Sequence, residues 1–238
     1  MYRAVIFDLD NTLMDFEACV SQSLCEVRAH HGVYLDNDMD WDEFQIRHGE
    51  HSYQHWMNHV NGTGSPDIMD VVVNTFRDAL CSRYADQHEQ MGKTYWDHFC
   101  RISVFEAGAE QLLSQLHGHT KLGLISNGVG AAQRGRLEHG GILHVFDSLL
   151  VSDEVGIRKP DPAIFELSLH QLGLQREEVL FVGDSMTDDF AGAVNAGIDF
   201  CYYNRAQMPV TTWAGQRPQR MIHQLDELLP IVQRRALG

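Results

Sequence analysis

Residues 4–11 read Ala-Val-Ile-Phe-Asp-Leu-Asp-Asn, a short apolar run that passes directly into acidic residues. Other short apolar runs stand at Leu122–Ile125, Leu149–Val151, Val179–Val182 and, as a further candidate strand, Phe200–Tyr203. The apolar residues in these runs are continuous instead of alternating, which indicates strands that are buried on both faces. The sequence therefore predicts an α/β fold in which helices cover an open parallel sheet.

Helix signals lie between these runs in the second half of the chain. Asp161 and the proline after it predict the N-cap and first turn of a helix over Ala163–Leu172, which ends at Gly173. A second helix is predicted over about Asp188–Ala196, ending at the following glycine. Strands that alternate with helices of this length are typical of parallel sheets.

The segment from Asp15 to Ile102 differs, because it contains no convincing strand run. It holds three of the four tryptophans and two helix-like stretches, Glu17–His31 and Ile68–Tyr84. The first strand run therefore has no close partner until about residue 121. We interpret the segment as an all-α cap inserted after the first strand of a Rossmann-like core. The predicted domains are residues 1–14 with 104–238 for the core, and 15–103 for the cap.

Charge and cysteine content narrow the classes of partner. The 238 residues include 18 basic and 33 acidic side chains, a formal net charge of −15, which disfavours binding to a nucleic acid polymer or an anionic membrane. Five scattered cysteines without a C-x-x-C pair fit a reducing compartment. No apolar run approaches a membrane span, and no signal peptide is indicated. We expect a cytoplasmic monomer or homodimer that acts on a small molecule.

Polar residues follow each apolar run, at the ends of strands where open α/β sheets bind their ligands. They are Asp8, Asp10 and Thr12 after the first run, Ser126 and Asn127 after the second, Lys159 after the third, and Asp184 after the fourth. Clustered carboxylates favour a hard cation such as Mg²⁺, and lysine with hydroxyls suits a phosphate. A carboxylate near a neutralised phosphate can attack phosphorus, while a second carboxyl two residues along can act as acid and base. Taken singly, each segment also fits a turn, a helix cap or a surface charge.

Together the four segments resemble the motifs of the haloacid dehalogenase (HAD) superfamily. The segments Ser126-Asn127-Gly128-Val129, Val151–Pro160 and Asn195–Asp199 resemble more specifically its bacterial pyrimidine 5′-nucleotidase branch. The resemblance spans nearly the whole core. In the cap it depends on helical character and on position alone, which is the position of the family's C1-type caps.

The resemblance implies a role for each motif residue. Asp8 is implied as the nucleophile and a Mg²⁺ ligand, and Asp10 as the general acid and base that also gives its backbone carbonyl to the metal. Thr12, Ser126 and the amide of Asn127 are implied to hold the transferring phosphoryl group. The remaining implied roles are neutralisation of charge by Lys159 and metal ligation by Asp184.

The last motif leaves one ambiguity, because Asp188 and Asp189 both stand at the spacing of its second acidic residue. Counted back from Gly197, Asp189 has the family's usual register, so we expect it in the metal shell. Asp188 is then expected to face solvent or to cap the helix.

The implied activity is that of a Mg²⁺-dependent phosphomonoesterase that forms an aspartyl-phosphate, acting on nucleoside 5′-monophosphates, pyrimidine ones above all. Asp10 favours a phosphatase over a dehalogenase, because dehalogenases of this superfamily lack a carboxyl at that position. A phosphatase for sugar phosphates or other small metabolites, a phosphomutase, and a non-catalytic binding or regulatory protein with this fold remain alternatives. The preserved Asp8, Asp10 and Lys159 argue against the last.

Two features of the cap admit several interpretations. His48, His51, His55 and His59 recur at helical spacing, which fits a solvated polar face, a substrate-facing role or, least well, a metal site. Trp41, Trp56 and Trp96 fit a helical core better than a surface that stacks on a base.

Overall fold

The computed structural model describes residues 2–34 and 37–233 and contains a six-stranded sheet. Its strands are β1 (Ala4–Phe7), β2 (Lys121–Ser126), β3 (Ser148–Val151), β4 (Val179–Gly183), β5 (Asp199–Tyr203) and β6 (Arg220–Ile222). Their order in the sheet is β3-β2-β1-β4-β5-β6, and each neighbouring pair is parallel. The predicted α/β class with an open parallel sheet is confirmed.

The helices fall into two sequence regions. The first region contains α1 (Phe16–His31), α2 (Asp38–Val60), α3 (Ile68–Ala79) and α4 (His88–Phe99). The second contains α5 (Ala109–Leu116), α6 (Gly130–His139), α7 (Ser152–Val155), α8 (Pro162–Leu172), α9 (Ala191–Ala196) and α10 (Leu228–Gln233). In the described part of the chain, no helix is both long enough and apolar enough to cross a bilayer.

Alternate residues of β1 supply two different cores. Val5 and Phe7 belong to a cluster that includes residues of α5 and α10, whereas Ala4 and Ile6 belong to a cluster that includes residues of α8 and α9. All four are fully buried, so both faces of the central strand are covered. Since each large apolar side chain buried in this way contributes about 1.5–3 kcal/mol, the faces of the sheet are committed to packing. The strand ends are left for polar chemistry.

The chain divides into two compact units. The sheet unit comprises Met1–Glu17 with Ser103–Gly238, and the helical unit comprises Ala18–Ile102. The sequence-based prediction put the junctions after residues 14 and 103.

Aromatic rings build the interior of the helical unit, where α3 packs against both α2 and α4. The rings in mutual contact there are those of Tyr34, Trp41, Phe44, His48, Phe76, Tyr84, Tyr95, Trp96 and Phe99. Trp41 is buried, as expected for a core residue. Trp56 and Trp96 are half-buried.

Several predicted elements differ from the observed ones. The predicted helix Ile68–Tyr84 ends at Ala79, because Leu80 adopts an extended conformation and a short 3₁₀ segment, Ser82–Gln87, follows. The predicted helix from Asp188 is a π-helical turn over Met186–Phe190 that continues into α9. The sequence did not mark β6, and of the 23 residues of α2 it marked only the helical spacing of four histidines.

Helix α8 follows the sequence prediction. The Asp161 side chain accepts from the amide of Ala163 at 2.9 Å, which satisfies one of the unpaired donors of the first turn. At the other end Gly173 adopts a φ of +65°, a conformation that costs glycine little.

Candidate active site at the carboxyl edge of the sheet

Polar side chains gather where neighbouring parallel strands end. Asp8 follows β1, Ser126 is the last residue of β2, Lys159 lies in the loop beyond β3, and Asp184 follows β4. Because β3, β2, β1 and β4 are adjacent and parallel, their carboxyl ends lie at the same edge of the sheet. The sheet topology therefore brings together groups that are far apart in the sequence.

The turn after β1 sets the positions of its two acidic residues. The amide of Asp8 still donates to the carbonyl of Val182, at 2.9 Å, and so extends the sheet by one residue. The chain then folds around the carbonyl of Leu9, which accepts from the amide of Met14 at 2.9 Å. Asn11 adopts a φ of +62°, in the left-handed region that asparagine tolerates better than most residues.

Lys159 links two carboxylates below the surface of the protein. Its Nζ lies 2.5 Å from Asp8 Oδ1 and 2.7 Å from Asp189 Oδ1, and its side chain is 2% exposed. Burial alone would lower the pKa of this lysine, but the charges of Asp189 and Asp8 outweigh it and raise the pKa above its ordinary value. Lys159 is therefore a permanent cation.

Three carboxylates crowd around this lysine. Asp8, Asp184 and Asp189 each offer one oxygen, and these oxygens lie within 4.8 Å of one another. Burial, opposed by Lys159, raises the pKa of Asp8. Burial also raises the pKa of Asp184, to about 8, and the charges of Asp8 and Asp189 act in the same direction. Without a further cation, full ionisation of this trio costs free energy.

Residues 188 and 189 are separated by the π-helical turn. Asp189 is 1% exposed, and its Oδ2 accepts from the amide of Ser185 at 3.0 Å. A side chain on Gly183 would overlap this carboxylate, so the glycine leaves the space that Asp189 occupies. Asp188 is half-buried and accepts from Asn127 Nδ2 at 3.2 Å. The structure thus differs from the expectation that Asp188 faces solvent or caps the helix.

The side chain of Asn127 holds the loop that carries the lysine. Its Oδ1 accepts from the Lys159 amide and its Nδ2 donates to the Lys159 carbonyl, both at 2.9 Å. The side-chain amide is thereby committed to the protein itself. Only the backbone amide of Asn127 remains as a candidate donor to a ligand, which is the group that the resemblance implies.

The two candidate hydroxyl groups have different surroundings. Ser126 Oγ accepts from Gln133 Nε2 at 2.7 Å, which leaves its own proton for another acceptor. Thr12 is fully buried, and its hydroxyl oxygen has no hydrogen-bond partner among residues 2–34 and 37–233. Ser126 therefore belongs to a hydrogen-bond network that Gln133 extends to Asp10, whereas the Thr12 hydroxyl is bonded to none of the described residues.

The carboxylate of Asp10 turns towards α6 and stands outside the trio. Arg136 Nη2 lies 2.7 Å from Asp10 Oδ1, and Gln133 Nε2 lies 2.8 Å from Asp10 Oδ2. Sequence analysis did not single out either partner. Arg136 and the neighbouring Arg134 look alike in the sequence, yet the first is fully buried and the second is 44% exposed.

The four histidines of α2 do not form a common site. His48 is enclosed by the rings of Phe44, Phe76 and Tyr95, and burial lowers its pKa to about 4. His55 pairs with Asp78 at 2.8 Å, and His59 bonds the Ser65 carbonyl at 2.8 Å. None of them belongs to a metal-binding group in the described part of the chain.

The donor set at the carboxyl edge fits a hard divalent cation. Asp8, Asp184 and Asp189 offer oxygen ligands alone, the kind that Mg²⁺ prefers, whereas zinc sites use histidine or cysteine. Lys159 supplies one positive charge against three carboxyl groups, so the site retains an excess of negative charge. Burial is the main cause of the raised pKa values of Asp8 and Asp184, and the neighbouring negative charges add to it. The structure therefore contains an acidic cluster that could hold a metal ion.

Known proteins share both the sequence and the fold of this chain. The pyrimidine 5′-nucleotidase YjjG of Escherichia coli (strain K12) is 29% identical over 94% of this chain and 96% of its own length. The (S)-2-haloacid dehalogenase 2 of Pseudomonas sp. (strain CBS-3) is 27% identical over 95% of this chain and 93% of its own. The crystal structure of Bacillus subtilis YfnB bound to magnesium has a TM-score of 0.79 at 26% identity, covering 98% of this chain and 99% of that one.

A family-level comparison agrees with these relatives. The family described as "Hydrolase: haloacid dehalogenase-like hydrolase" matches residues 2–197, a range that includes every residue of the carboxyl edge discussed above. The resemblance inferred from the four motifs is confirmed. The relatives include both phosphatases and dehalogenases, so the match defines the hydrolase family and leaves the substrate class open. The chain belongs to the haloacid dehalogenase-like hydrolase family.

Proposed function

We propose that this hydrolase is a Mg²⁺-dependent phosphomonoesterase that forms an aspartyl-phosphate on Asp8. The observation that carries the proposal is the setting of the Asp8 carboxylate. It is held 2.5 Å from the Lys159 ammonium, beside two further carboxylates, and a fourth carboxylate follows two residues along the chain. This arrangement combines a positioned nucleophile, a fixed cation and a separate acid–base group.

In the first step an Asp8 carboxylate oxygen attacks phosphorus, and the bond from phosphorus to the ester oxygen breaks. The leaving alkoxide takes a proton from the carboxylic acid form of Asp10 and departs as the alcohol. The products are the alcohol and an aspartyl-phosphate on Asp8. Because an alkoxide is a poor leaving group, proton donation by Asp10 matters most at this point.

In the second step water attacks the same phosphorus atom. Asp10, now ionised, takes a proton from the water, and the bond between phosphorus and the Asp8 oxygen breaks. Inorganic phosphate leaves, and both aspartates return to their initial forms. The net reaction is hydrolysis of a phosphate monoester by one water molecule.

The remaining residues bind and neutralise charge. Lys159 offsets the charge of Asp8 and of the equatorial phosphoryl oxygens, while Ser126, the backbone amide of Asn127 and Thr12 donate to those oxygens. We assign Asp8, Asp184, Asp189 and the backbone carbonyl of Asp10 as Mg²⁺ ligands. Bound Mg²⁺ supplies positive charge that keeps the carboxylates ionised and lowers the repulsion between Asp8 and an anionic substrate.

Nucleoside 5′-monophosphates, pyrimidine ones above all, are the substrates we propose. The similarity to the E. coli pyrimidine 5′-nucleotidase over nearly the full length of both chains supports this choice. The presence of Asp10 argues against a dehalogenase, because a halide ion leaves without taking a proton. Sugar phosphates and other small phosphorylated metabolites are the alternative substrates, and the substrate panel described next distinguishes them from nucleotides.

The test is a substrate panel with the full chain and Mg²⁺. The panel holds pyrimidine and purine nucleoside 5′-monophosphates, sugar phosphates, p-nitrophenyl phosphate and 2-chloropropionate, and each assay is repeated with EDTA. We expect release of inorganic phosphate, with the highest kcat/KM for a pyrimidine nucleotide, and loss of activity in EDTA that returns when Mg²⁺ is added.

Two variants make the assay specific for Asp8. Asp8→Asn removes the nucleophile, and Asp226→Asn makes the same change at an exposed position of the sheet unit. We expect turnover by the second variant alone. Release of chloride without release of phosphate would refute the phosphatase, and highest kcat/KM for a sugar phosphate would refute the nucleotide preference.

A further inference from the structure

A buried polar network lies behind the candidate acid–base residue. Arg136, on α6, is fully buried, and its Nη2 lies 2.7 Å from Asp10 Oδ1. Gln133, one helical turn earlier, is 2% exposed and donates to Asp10 Oδ2 at 2.8 Å and to Ser126 Oγ at 2.7 Å. Arg136 also donates to Gln133 Oε1. Both oxygens of the Asp10 carboxylate are therefore held from the same helix.

The chemistry of the groups allows one orientation of the Gln133 amide. A guanidinium has only donors, so the amide oxygen of Gln133 must face Arg136. The amide nitrogen must then face Asp10 and Ser126, and each of its two protons has an acceptor. A flipped amide would place its NH₂ group against the Arg136 guanidinium and its oxygen against the Asp10 carboxylate, so both of these bonds would be lost.

The backbone leaves room for this network. An added Cβ on Gly128 would lie 2.5 Å from Gln133 Nε2 and 2.9 Å from its Cδ. The φ of Gly128 is not positive, so its backbone conformation would accept alanine. The absence of a side chain at 128 thus serves the placement of the Gln133 amide, directly after the Ser126-Asn127 motif.

Stability alone is a weak reason for burying this arginine. Taking a guanidinium out of water carries a large desolvation cost, and well-packed apolar residues often replace buried ion pairs without loss of stability. The network instead joins two groups of the proposed site that different strands supply. Asp10 follows β1, Ser126 ends β2, and Gln133 contacts both.

We propose that Arg136 and Gln133 are positioning residues that orient Asp10 for proton transfer and Ser126 for phosphoryl binding. Arg136 and Gln133 fix the direction of the Asp10 carboxylate from two sides. Gln133 also occupies an acceptor position on Ser126 Oγ, so the serine proton is directed away from α6. The inference rests on the proposed phosphatase function, since it assigns the means by which that function's acid is aligned.

The test compares two arginines of the same helix. Arg136→Met keeps an unbranched side chain that fills the space of the arginine stem and removes the guanidinium, while Arg134→Met makes the same change at an exposed residue paired with Glu154. Misplacement of a reacting group by about 1 Å can lower a rate about 10²-fold. We therefore expect Arg136→Met to lower kcat on an alkyl phosphate about 30-fold or more, and Arg134→Met to change it less than about 2-fold.

The leaving group separates positioning from general damage. p-Nitrophenolate leaves without protonation, so kcat on p-nitrophenyl phosphate should fall less than about 5-fold in Arg136→Met, with KM nearly unchanged. In an Asp10→Asn background, Arg136→Met should have no additional effect on the alkyl phosphate, because it acts through Asp10. Equal losses on both substrates, or additive losses in the double variant, would overturn the inference.

Two further variants keep the inference testable if Arg136→Met does not fold. Arg136→Lys retains a cation and should restore part of the activity on the alkyl phosphate. Gly128→Ala displaces the Gln133 amide without removing any charge, and should lower kcat on the alkyl phosphate while weakening inhibition by inorganic phosphate through Ser126. If Gly128→Ala has the kcat and the phosphate inhibition of the wild type, Gln133 does not have the proposed role.

The two proposals fail in different ways. A wild-type protein that hydrolyses no phosphate ester would refute the proposed function itself. An active wild type with the same kcat as Arg136→Met would refute this inference alone.

Discussion

The sheet unit and the helical unit each bury a basic side chain, and the pKa shifts in opposite directions in the two units. In the sheet unit, Lys159 contacts two carboxylates, and its pKa is raised. In the helical unit, His48 lies among aromatic rings, and burial lowers its pKa to about 4. Lys159 thus stays charged and His48 neutral. A buried cation with anionic partners belongs to a chemical site, whereas an imidazole enclosed by rings is a packing residue.

The types of side chain that form the two cores explain this difference. The sheet unit buries mainly aliphatic side chains on both faces of a parallel sheet, which confines polar groups to the strand ends. The described residues of the helical unit, 18–34 and 37–102, form no sheet and so no such edge, and the interior is a cluster of rings that includes Phe76 and Trp41. A polar residue of the helical unit can therefore be buried singly among rings, whereas the strand ends of the sheet unit gather several polar side chains at one place.

The largest expected effect concerns chemistry in the sheet unit. Asp8→Asn should lower kcat about 10⁴-fold or more, because an amide is not a competent nucleophile. The thermal midpoint should not fall, since the change is isosteric and Lys159 retains Asp189 as a partner. Steady-state phosphate release and a thermal melt on the same preparation check both statements. Residual activity above about 1% would contradict the covalent route.

Packing in the helical unit should give the next largest effect. Phe76 is fully buried, so Phe76→Ala should lower the free energy of unfolding by about 3–5 kcal/mol through the lost contacts and the cavity left behind. The matched control is Tyr53→Ala on α2, whose ring is 70% exposed and whose loss should cost less than about 0.5 kcal/mol. Urea unfolding at neutral pH measures both. Equal losses would show that the aromatic cluster does not stabilise this unit.

His48 should make the helical unit sensitive to acid. Because its pKa is lowered from 6.5 to about 4, the unfolded chain binds a proton over this interval that the folded protein does not. The free energy of unfolding should therefore fall by up to about 3 kcal/mol as the pH drops from 6.5 to 4. Urea unfolding across this range should show a weaker slope in His48→Phe, while His119→Phe, at an exposed position, keeps the wild-type slope.

The carboxylate trio should give the sheet unit the opposite sensitivity. The raised pKa of Asp184 means that the folded, metal-free protein holds a proton that the unfolded chain releases near pH 3.8. The free energy of unfolding should then fall as the pH rises towards about 8. Asp184→Asn should recover about 2 kcal/mol at pH 8 without metal.

Mg²⁺ provides the control for this last effect. Added to the wild type at pH 8, it should stabilise the protein by binding the folded state, and the variant should respond less. Thermal melts in EDTA and in Mg²⁺ measure the difference. A variant that is less stable than the wild type at pH 8 in EDTA would contradict the electrostatic account of the trio.

Prediction from sequence succeeded where a residue's neighbours along the chain determine its state. The run at Ala4–Phe7 is a buried strand at those bounds, and Asp161 caps α8. Prediction was less successful where the end of a helix depends on packing. The example is α3, which ends at Ala79 because the next residue is extended. The roles of Asp188 and Asp189 depend on the π-helical turn, a feature without a sequence pattern of its own.

By itself, the sequence determined the α/β class, the helical insertion and the motifs that identify the hydrolase family, because these depend on local periodicity and on residue types at strand ends. Only the tertiary structure decided that Arg136 is buried against Asp10 while Arg134 is exposed. It also decided that His48 is a packing residue. The physical reason is that burial and ion pairing depend on residues distant in the chain, and a side chain's chemistry follows from those neighbours.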